Sequence, residues 1–199
     1  MMFRKTLIAT TAVAAIMSAA PSAFADVVAN HDFGGGTITF RGSVTEAPCS
    51  IVPGDDKLDI NLGQVSQKML SAADKGSTPV DVVIHLNSCQ FDVDTPPANG
   101  GTANPHGALS KVDVEFANYT SSSVSTGLLH NDGTAAHVDV QLLDNAGQPI
   151  PLDRVASDAT AHQLTGPTGE MTFKARMLAS GAATAGSVSA RVDYKLKYF

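Results

Sequence analysis

Apolar and polar residues alternate with a period of two along much of the chain, which is typical of β-strands that bury one face. The pattern is clearest at the C-terminus, where Ala190, Val192, Tyr194, Leu196 and Tyr198 share one parity and charged residues occupy the other. The same alternation predicts strands in six earlier segments, at residues 37–44, 58–62, 80–86, 112–116, 138–142 and 171–177.

Turn sequences rich in Gly, Pro, Asn and Asp separate these segments, at residues 53–56, 131–133, 144–147 and 165–169. Short amphipathic strands joined by such turns favour a β-sandwich. Residues 65–75 are the one helical possibility, and we expect a short turn or loop there. Residues 90–107 form a long loop rich in Pro, Gly and Asn, and we interpret it as exposed decoration.

The first 25 residues have the pattern of a secretory signal peptide. Arg4 and Lys5 precede an apolar run, and Ala23-Phe24-Ala25 is the small-residue pattern that a signal peptidase cleaves. The alternative is a membrane anchor, but the run is shorter than the ~20 residues needed to span a bilayer. We therefore expect an exported chain that begins at Asp26 and has 174 residues (199 − 25), enough for one domain with a core.

The mature chain is acidic. Removing two basic residues with the signal peptide leaves 11 basic against 19 acidic residues, a net charge of −8. This charge argues against nucleic acid or an anionic membrane surface as a partner.

Cys49 and Cys89 are the two cysteines of the chain. An even number of cysteines in an exported protein favours a disulfide. The alternative, a pair of metal ligands, has no Cys-x-x-Cys spacing to support it.

Residues with catalytic chemistry do not form a recognisable motif. The six histidines show no metal-binding spacing, and there is neither a Gly-x-Ser-x-Gly sequence nor a phosphate-binding glycine loop. Asp55 and Asp56 lie in a turn sequence, where aspartate is common for backbone reasons. We therefore expect no enzymatic activity and no cofactor.

A set of segments in a fixed order carries a family resemblance. Tyr198 is the penultimate residue and Gly186 the fourteenth from the C-terminus. Six further segments accompany them: GGTITFRG (35–42), NLGQV (61–65), IHLNSC (84–89), VDVQLLD (138–144), FKAR (173–176) and SGAAT (180–184). Together they resemble the subunits of bacterial pili assembled by the chaperone–usher route, especially the major subunit of type 1-like fimbriae.

The resemblance implies an all-β fold, an incomplete immunoglobulin-like β-sandwich that lacks its final edge strand and is completed by donor-strand complementation. It implies a signal peptide (1–25), an N-terminal donor-strand arm (26–40) and a pilin domain (41–199). The arm residues are Phe33, Gly34, Gly36, Ile38 and Phe40, and the parity that faces the groove stays open. The strand that contacts the chaperone and borders the acceptor groove contains Gly186, Val192, Tyr194, Leu196 and Tyr198.

The function implied is that of a structural subunit of a cell-surface fimbria that supports adhesion. Its partners are identical or related pilin subunits, with a periplasmic chaperone and an outer-membrane usher during assembly. Two alternatives stay open: a minor adaptor pilin, and a stand-alone secreted β-sandwich that binds a ligand through its loops. Ile38 and Phe40 also have an alternative role, as part of this chain's own first strand.

Overall fold

The computed structural model describes residues 36–93 and 102–199. The chain divides into two units, Met1–Ser43 and Val44–Phe199. Within the described part of the first unit, residues 36–43 form no strand, and the first strand among the described residues begins at Ser50. The prediction of a strand over residues 37–44 is therefore wrong. The alternation gives this segment an amphipathic face, but no hydrogen-bonded ladder forms there.

The described residues of the second unit form nine β-strands and one short 3-10 turn. Their bounds are β1 Ser50–Ile51, the 3-10 turn Asp55–Lys57, β2 Val80–Asn87, β3 Lys111–Ala117, β4 Ser121–Ser123, β5 Leu128–Leu129, β6 Val138–Leu143, β7 His162–Gln163, β8 Gly169–Ala179 and β9 Asp193–Tyr198. The strands predicted at 80–86, 112–116, 138–142 and 171–177 are confirmed as β2, β3, β6 and β8. The terminal strand is confirmed as β9.

Two sheets share these strands, and every pairing is antiparallel. The larger sheet has the order β1-β2-β8-β6-β5-β4, and the smaller has the order β7-β3-β9. Residues 58–62, predicted as a strand, belong to neither sheet. The strand β9 pairs with β3 and has no second neighbour among the described residues.

The core lies between the two sheets, as expected for a β-sandwich. Apolar residues of one parity from β2, β8 and β6 face those of β3 in a single buried cluster. The rings of Phe116 and Phe173 meet edge to face across the core, with centroids 5.8 Å apart. Cys49 and Cys89 are buried in the same cluster and are joined by a disulfide.

A buried carboxylate attaches a loop to the outer face of the smaller sheet. Asp113 on β3 is 2% exposed and accepts two hydrogen bonds from Arg154, at 2.7 and 2.8 Å. Thr160 and the backbone N–H of Ser157 also donate to it. Because each of these donors comes from residues 154–160, the buried charge is compensated and that loop is held over β3.

Candidate functional site: an open apolar groove

One wall of an apolar groove is formed by residues 58–65. Leu58, Ile60 and Leu62 point inward and pack against the core, in the alternation that the sequence shows. Among the described residues, no backbone group of this segment bonds to another backbone group; the N–H of Gly63 instead donates to the side-chain Oδ1 of Asn61, at 2.8 Å. The segment is thus extended and amphipathic, and it has the unpaired backbone of a sheet edge.

The opposite wall is formed by residues 186–194. Val188, Ala190, Val192 and Tyr194 pack against the core. Lys111 and Phe199 exchange both of their backbone hydrogen bonds, at 3.0 and 2.9 Å. This pair fixes which residues of β9 direct their N–H and C=O groups toward β3. In an antiparallel ladder the intervening residues direct their N–H and C=O groups to the other side. The backbone of Tyr194 therefore faces the open edge.

The floor between the two walls is apolar. It includes Val82, Phe116, Val140, Phe173 and Met177, and the groove volume is about 970 Å³. Two walls with unpaired backbone groups, separated by an apolar floor, form a site that fits an incoming β-strand. Its backbone would pair with the walls, and its alternate side chains would fill the floor.

The second wall is held in place from its outer side by the loop 131–136. The C=O groups of Ser187 and Ser189 accept hydrogen bonds from the backbone N–H groups of Ala135 and Asp132, at 3.0 and 2.8 Å. The side chain of Asn131 accepts from the N–H of Ser189 at 2.8 Å and donates to the C=O of Ala135. These contacts use the outer edge of the wall and leave its inner edge unpaired.

Gly186 owes its identity to this close approach. A Cβ atom built there would contact the backbone N of Ala135 and lie 2.6 Å from the carbonyl carbon of Thr134. Any side chain would therefore push the wall away from the loop. The resemblance identified Gly186, and the structure supplies the steric reason.

One end of the groove is closed by a hydrogen bond between its two sides. The hydroxyl of Tyr194 donates to the backbone C=O of Asp55, at 2.8 Å, in the 3-10 turn that leads into the first wall. The carboxylate of Asp55 accepts the backbone N–H of His85 on β2 at 2.6 Å and lies 2.8 Å from Nδ1 of the same residue. Asp55 thus links β2 to β9 across the end of the groove.

Asp55, Tyr194 and Tyr198 have shifted pKa values. The backbone N–H and then the side chain of His85 hold the pKa of Asp55 below its usual value of 3.8. Burial raises the pKa of Tyr194, and the negative charges of Asp55 and Asp56 raise it further. The pKa of Tyr198 rises to about 12, mainly through burial. Both tyrosines therefore stay protonated at physiological pH, and Tyr194 remains a hydrogen-bond donor.

We expect Asp55→Asn to change how stability depends on pH. A carboxylate whose folded pKa lies below its unfolded pKa stabilises the fold above the unfolded value, and this contribution is lost as the pH falls through the lower, folded value. The difference in urea midpoint between wild type and the variant should thus be constant at neutral pH and shrink below about pH 4. Asp56→Asn removes a charge from the same turn and is the control. A difference that persists unchanged at pH 3 would contradict the role of Asp55.

The structure brings only part of the predicted site together. Gly186, Val192 and Tyr194 line the groove, whereas Leu196 and Tyr198 continue along β9 and pack against the core beyond it. In the N-terminal segment, Ile38 and Phe40 are 77% and 87% exposed, and a Cβ on Gly36 would meet no atom within 4 Å. Phe33 and Gly34 lie outside the described residues.

Sequence reasoning missed most of the first wall. The alternation of Leu58, Ile60 and Leu62 was visible, but it predicted an ordinary strand and not an unpaired wall. The floor residues were recognised only as members of their strands. Loop 90–107 is described at residues 90–93 and 102–107, and at its base the N–H of Ala108 donates to the C=O of Asp92 at 2.8 Å.

Within residues 36–93 and 102–199, no group of three or more His, Cys, Asp or Glu side chains is placed to hold a metal ion. The same residues contain no helix long and apolar enough to cross a membrane. What the groove offers is an apolar floor and two backbone edges, which suit a peptide strand.

The sandwich and its groove define the class: an incomplete immunoglobulin-like fold in which the described residues leave one strand position unfilled. Comparison with solved structures agrees. A chain of a chaperone–usher pilus superposes with a TM-score of 0.65 at 26% identity, covering 85% of this chain and 99% of that chain. The P pilus rod subunit PapA superposes with a TM-score of 0.57 at 26% identity, covering 77% and 100%.

Sequence comparison identifies the family. Residues 38–199 match the family described as fimbrial protein. The chain is 35% identical to the uncharacterized fimbrial-like protein YgiL of Escherichia coli K12, over 84% of this chain and 87% of that protein. It is 31% identical to the type-1 fimbrial protein A chain of the same strain, over 96% and 98%. The chain therefore belongs to the fimbrial protein family, a family of structural pilins and not of enzymes.

Proposed function

We propose that this fimbrial subunit polymerises head to tail, each copy inserting its N-terminal arm into the groove of the next copy. The observation that carries the proposal is the pair of unpaired walls, residues 58–65 and 186–194, on either side of an apolar floor. A single extended segment placed between them would satisfy both edges and cover the floor at once.

The occupant that fits best is residues 33–40 of a second copy. Ile38 and Phe40 are exposed apolar residues separated by the polar Thr39, so the segment has the period of two that a strand in the groove requires. Residues 33–40 and residues 58–65 have the same number of residues, eight, and each spans roughly 26 Å when extended. The part of the arm at residues 33–40 therefore matches the first wall in length.

A filament follows from one arm and one groove on each subunit. The two contacting surfaces differ, so the contact is heterologous, and repetition of a contact that does not close produces an open filament. An arm folded into the groove of its own chain would instead yield monomers and no filaments.

Assembly needs helpers, because an unfilled groove exposes apolar side chains and unpaired backbone groups. We propose that a periplasmic chaperone lends a strand to the groove, and that an outer-membrane usher is the site where the arm of the next subunit replaces it. The route runs from export through the periplasm to a fimbria on the cell surface. A complete stand-alone sandwich is disfavoured by the same unpaired walls.

Deletion of residues 26–40, with the signal peptide retained, tests the proposal. We expect cells that carry the fimbrial assembly genes and this deletion to make no filaments visible by electron microscopy, because the donated strand is absent. The truncated chain should still be recovered from the periplasm in complex with the chaperone, because its groove is intact.

Two results would count against this role. Normal filaments from the deleted chain would exclude the arm as the polymerising element. Filaments of normal number that lack only their tips would identify a minor adaptor subunit in place of the main structural one.

A further inference from the structure

Among the described residues, one hydrogen bond joins the two sides of the groove, and it lies at one end. There the side chain of Tyr194, on the second wall, reaches the backbone C=O of Asp55, which lies three residues before Leu58 on the first wall. The groove lining ends at these same places, at Leu58 on one side and Tyr194 on the other. The bond therefore spans the mouth of the groove.

A groove of this kind has a tendency to close. Both walls carry unpaired backbone groups, and an apolar floor between them is exposed to water. Direct pairing of the walls would satisfy their backbone groups with hydrogen bonds. It would also bring the walls to about 4.8 Å apart, the spacing of paired strands, and so cover the apolar floor. A groove ready for an incoming strand must instead keep its walls about 9.6 Å apart, two strand spacings.

The Tyr194 contact favours the wider spacing. Its aromatic side chain is rigid beyond Cβ, and the 2.8 Å hydrogen bond at its tip ties the β9 backbone to the C=O of Asp55. A tyrosine side chain plus a hydrogen bond is longer than the spacing of directly paired strands, so this contact separates the two backbones by more than that spacing. The acceptor is also fixed, since the carboxylate of Asp55 is held by the backbone N–H and ring of His85 on β2.

We propose that Tyr194 is a spacer: it holds the two walls two strand spacings apart at this end, which leaves room for one incoming strand. This inference rests on the proposed function, because it concerns the entry of the arm. Tyr194 is in this sense a positioning residue: it sets the distance between the edges with which the arm pairs. Its raised pKa keeps the hydroxyl protonated as a donor.

The test compares Tyr194→Phe with Tyr198→Phe. Both tyrosines lie on β9 with the same parity, and both are partly buried. The hydroxyl of Tyr194 bonds to Asp55, whereas that of Tyr198 bonds to no described residue. Each variant removes one hydroxyl and keeps the ring, so the pair isolates the hydrogen bond across the groove.

The mature chain, residues 26–199, is diluted from denaturant into an excess of a fluorescent peptide of residues 26–43. The second-order rate constant for insertion of the peptide into the groove is measured at peptide concentrations where the insertion rate is proportional to the peptide concentration. We expect Tyr194→Phe to lower this constant about fivefold, the effect of losing one hydrogen bond that holds the groove open. Tyr198→Phe should stay within about twofold of wild type.

A second readout separates a spacer from a merely stabilising contact. Once the peptide is inserted it holds the walls apart itself, so the thermal midpoint of the filled Tyr194→Phe complex should match that of the filled Tyr198→Phe complex. Equal incorporation rates for the two variants, or a midpoint lowered specifically in Tyr194→Phe, would overturn the spacer. Failure of the wild-type chain to bind the peptide would instead overturn the proposed function.

Discussion

Replacing Ile38 and Phe40 together by aspartate is expected to abolish filament formation while leaving the body of the subunit folded. Both side chains are exposed in the N-terminal segment. Burying an aliphatic or aromatic side chain contributes at least about 1.5 kcal/mol, so the pair contributes about 3 kcal/mol to each arm–groove contact. Charged replacements lose this contribution and also place carboxylates on an apolar floor. The measurement is filament length and number by electron microscopy of cells that make the variant.

The matched control is the double variant Thr37→Asp and Thr39→Asp. It introduces the same two charges into the same arm but on the opposite parity, which should face away from the floor. We expect this control to assemble. If it fails and the Ile38/Phe40 variant assembles, the opposite parity of the arm enters the groove. If both assemble equally, the arm is not the inserted strand.

Replacing Cys49 and Cys89 together by serine is expected to cause the largest loss of stability in the body. The disulfide joins residues separated by 40 positions in the sequence. Constraining a loop of that length in the unfolded chain stabilises the folded state by roughly 4 kcal/mol, which corresponds to a fall in the thermal midpoint of about 10 °C for a domain of this size. The measurement is thermal unfolding of the purified chain saturated with the arm peptide.

Wild-type chain measured with and without a reductant provides the control for the cysteine variant. Reduction should reproduce the fall in midpoint, because it removes the same covalent link without changing the sequence. An unchanged midpoint in both comparisons would show that this disulfide contributes nothing to stability. A fall in the variant alone would assign the loss to the serine hydroxyls buried in the core.

The fold was predictable where strands pair with neighbours in the same chain. The alternation of β2, β3, β6 and β8 places one parity in the core, and each of these strands has a partner in the structure. Prediction failed at residues 37–44 and 58–62, which alternate equally well but form no ladder. Alternation reports which face of a segment is apolar, and it carries no information about whether a pairing partner exists.

The two unpaired segments are also the two that the proposed function joins. One of them supplies the exposed residues Ile38 and Phe40, and the other forms a wall of the groove. A segment with the pattern of a strand but without a partner in its own chain is what exchange of strands between chains requires. The two segments whose strands were wrongly predicted are therefore the arm and the first wall of the groove.

By itself, the sequence determined the all-β class, the presence of two cysteines, and the family, because these depend on local periodicity and on ordered motifs. The tertiary structure alone decided that residues 58–65 and 186–194 face each other with unpaired backbones across an apolar floor. It also decided that Gly186 lies where a Cβ has no room and that Tyr194 reaches Asp55, 139 positions away along the chain. These features depend on distances between residues remote in sequence, which the packing of the two sheets sets.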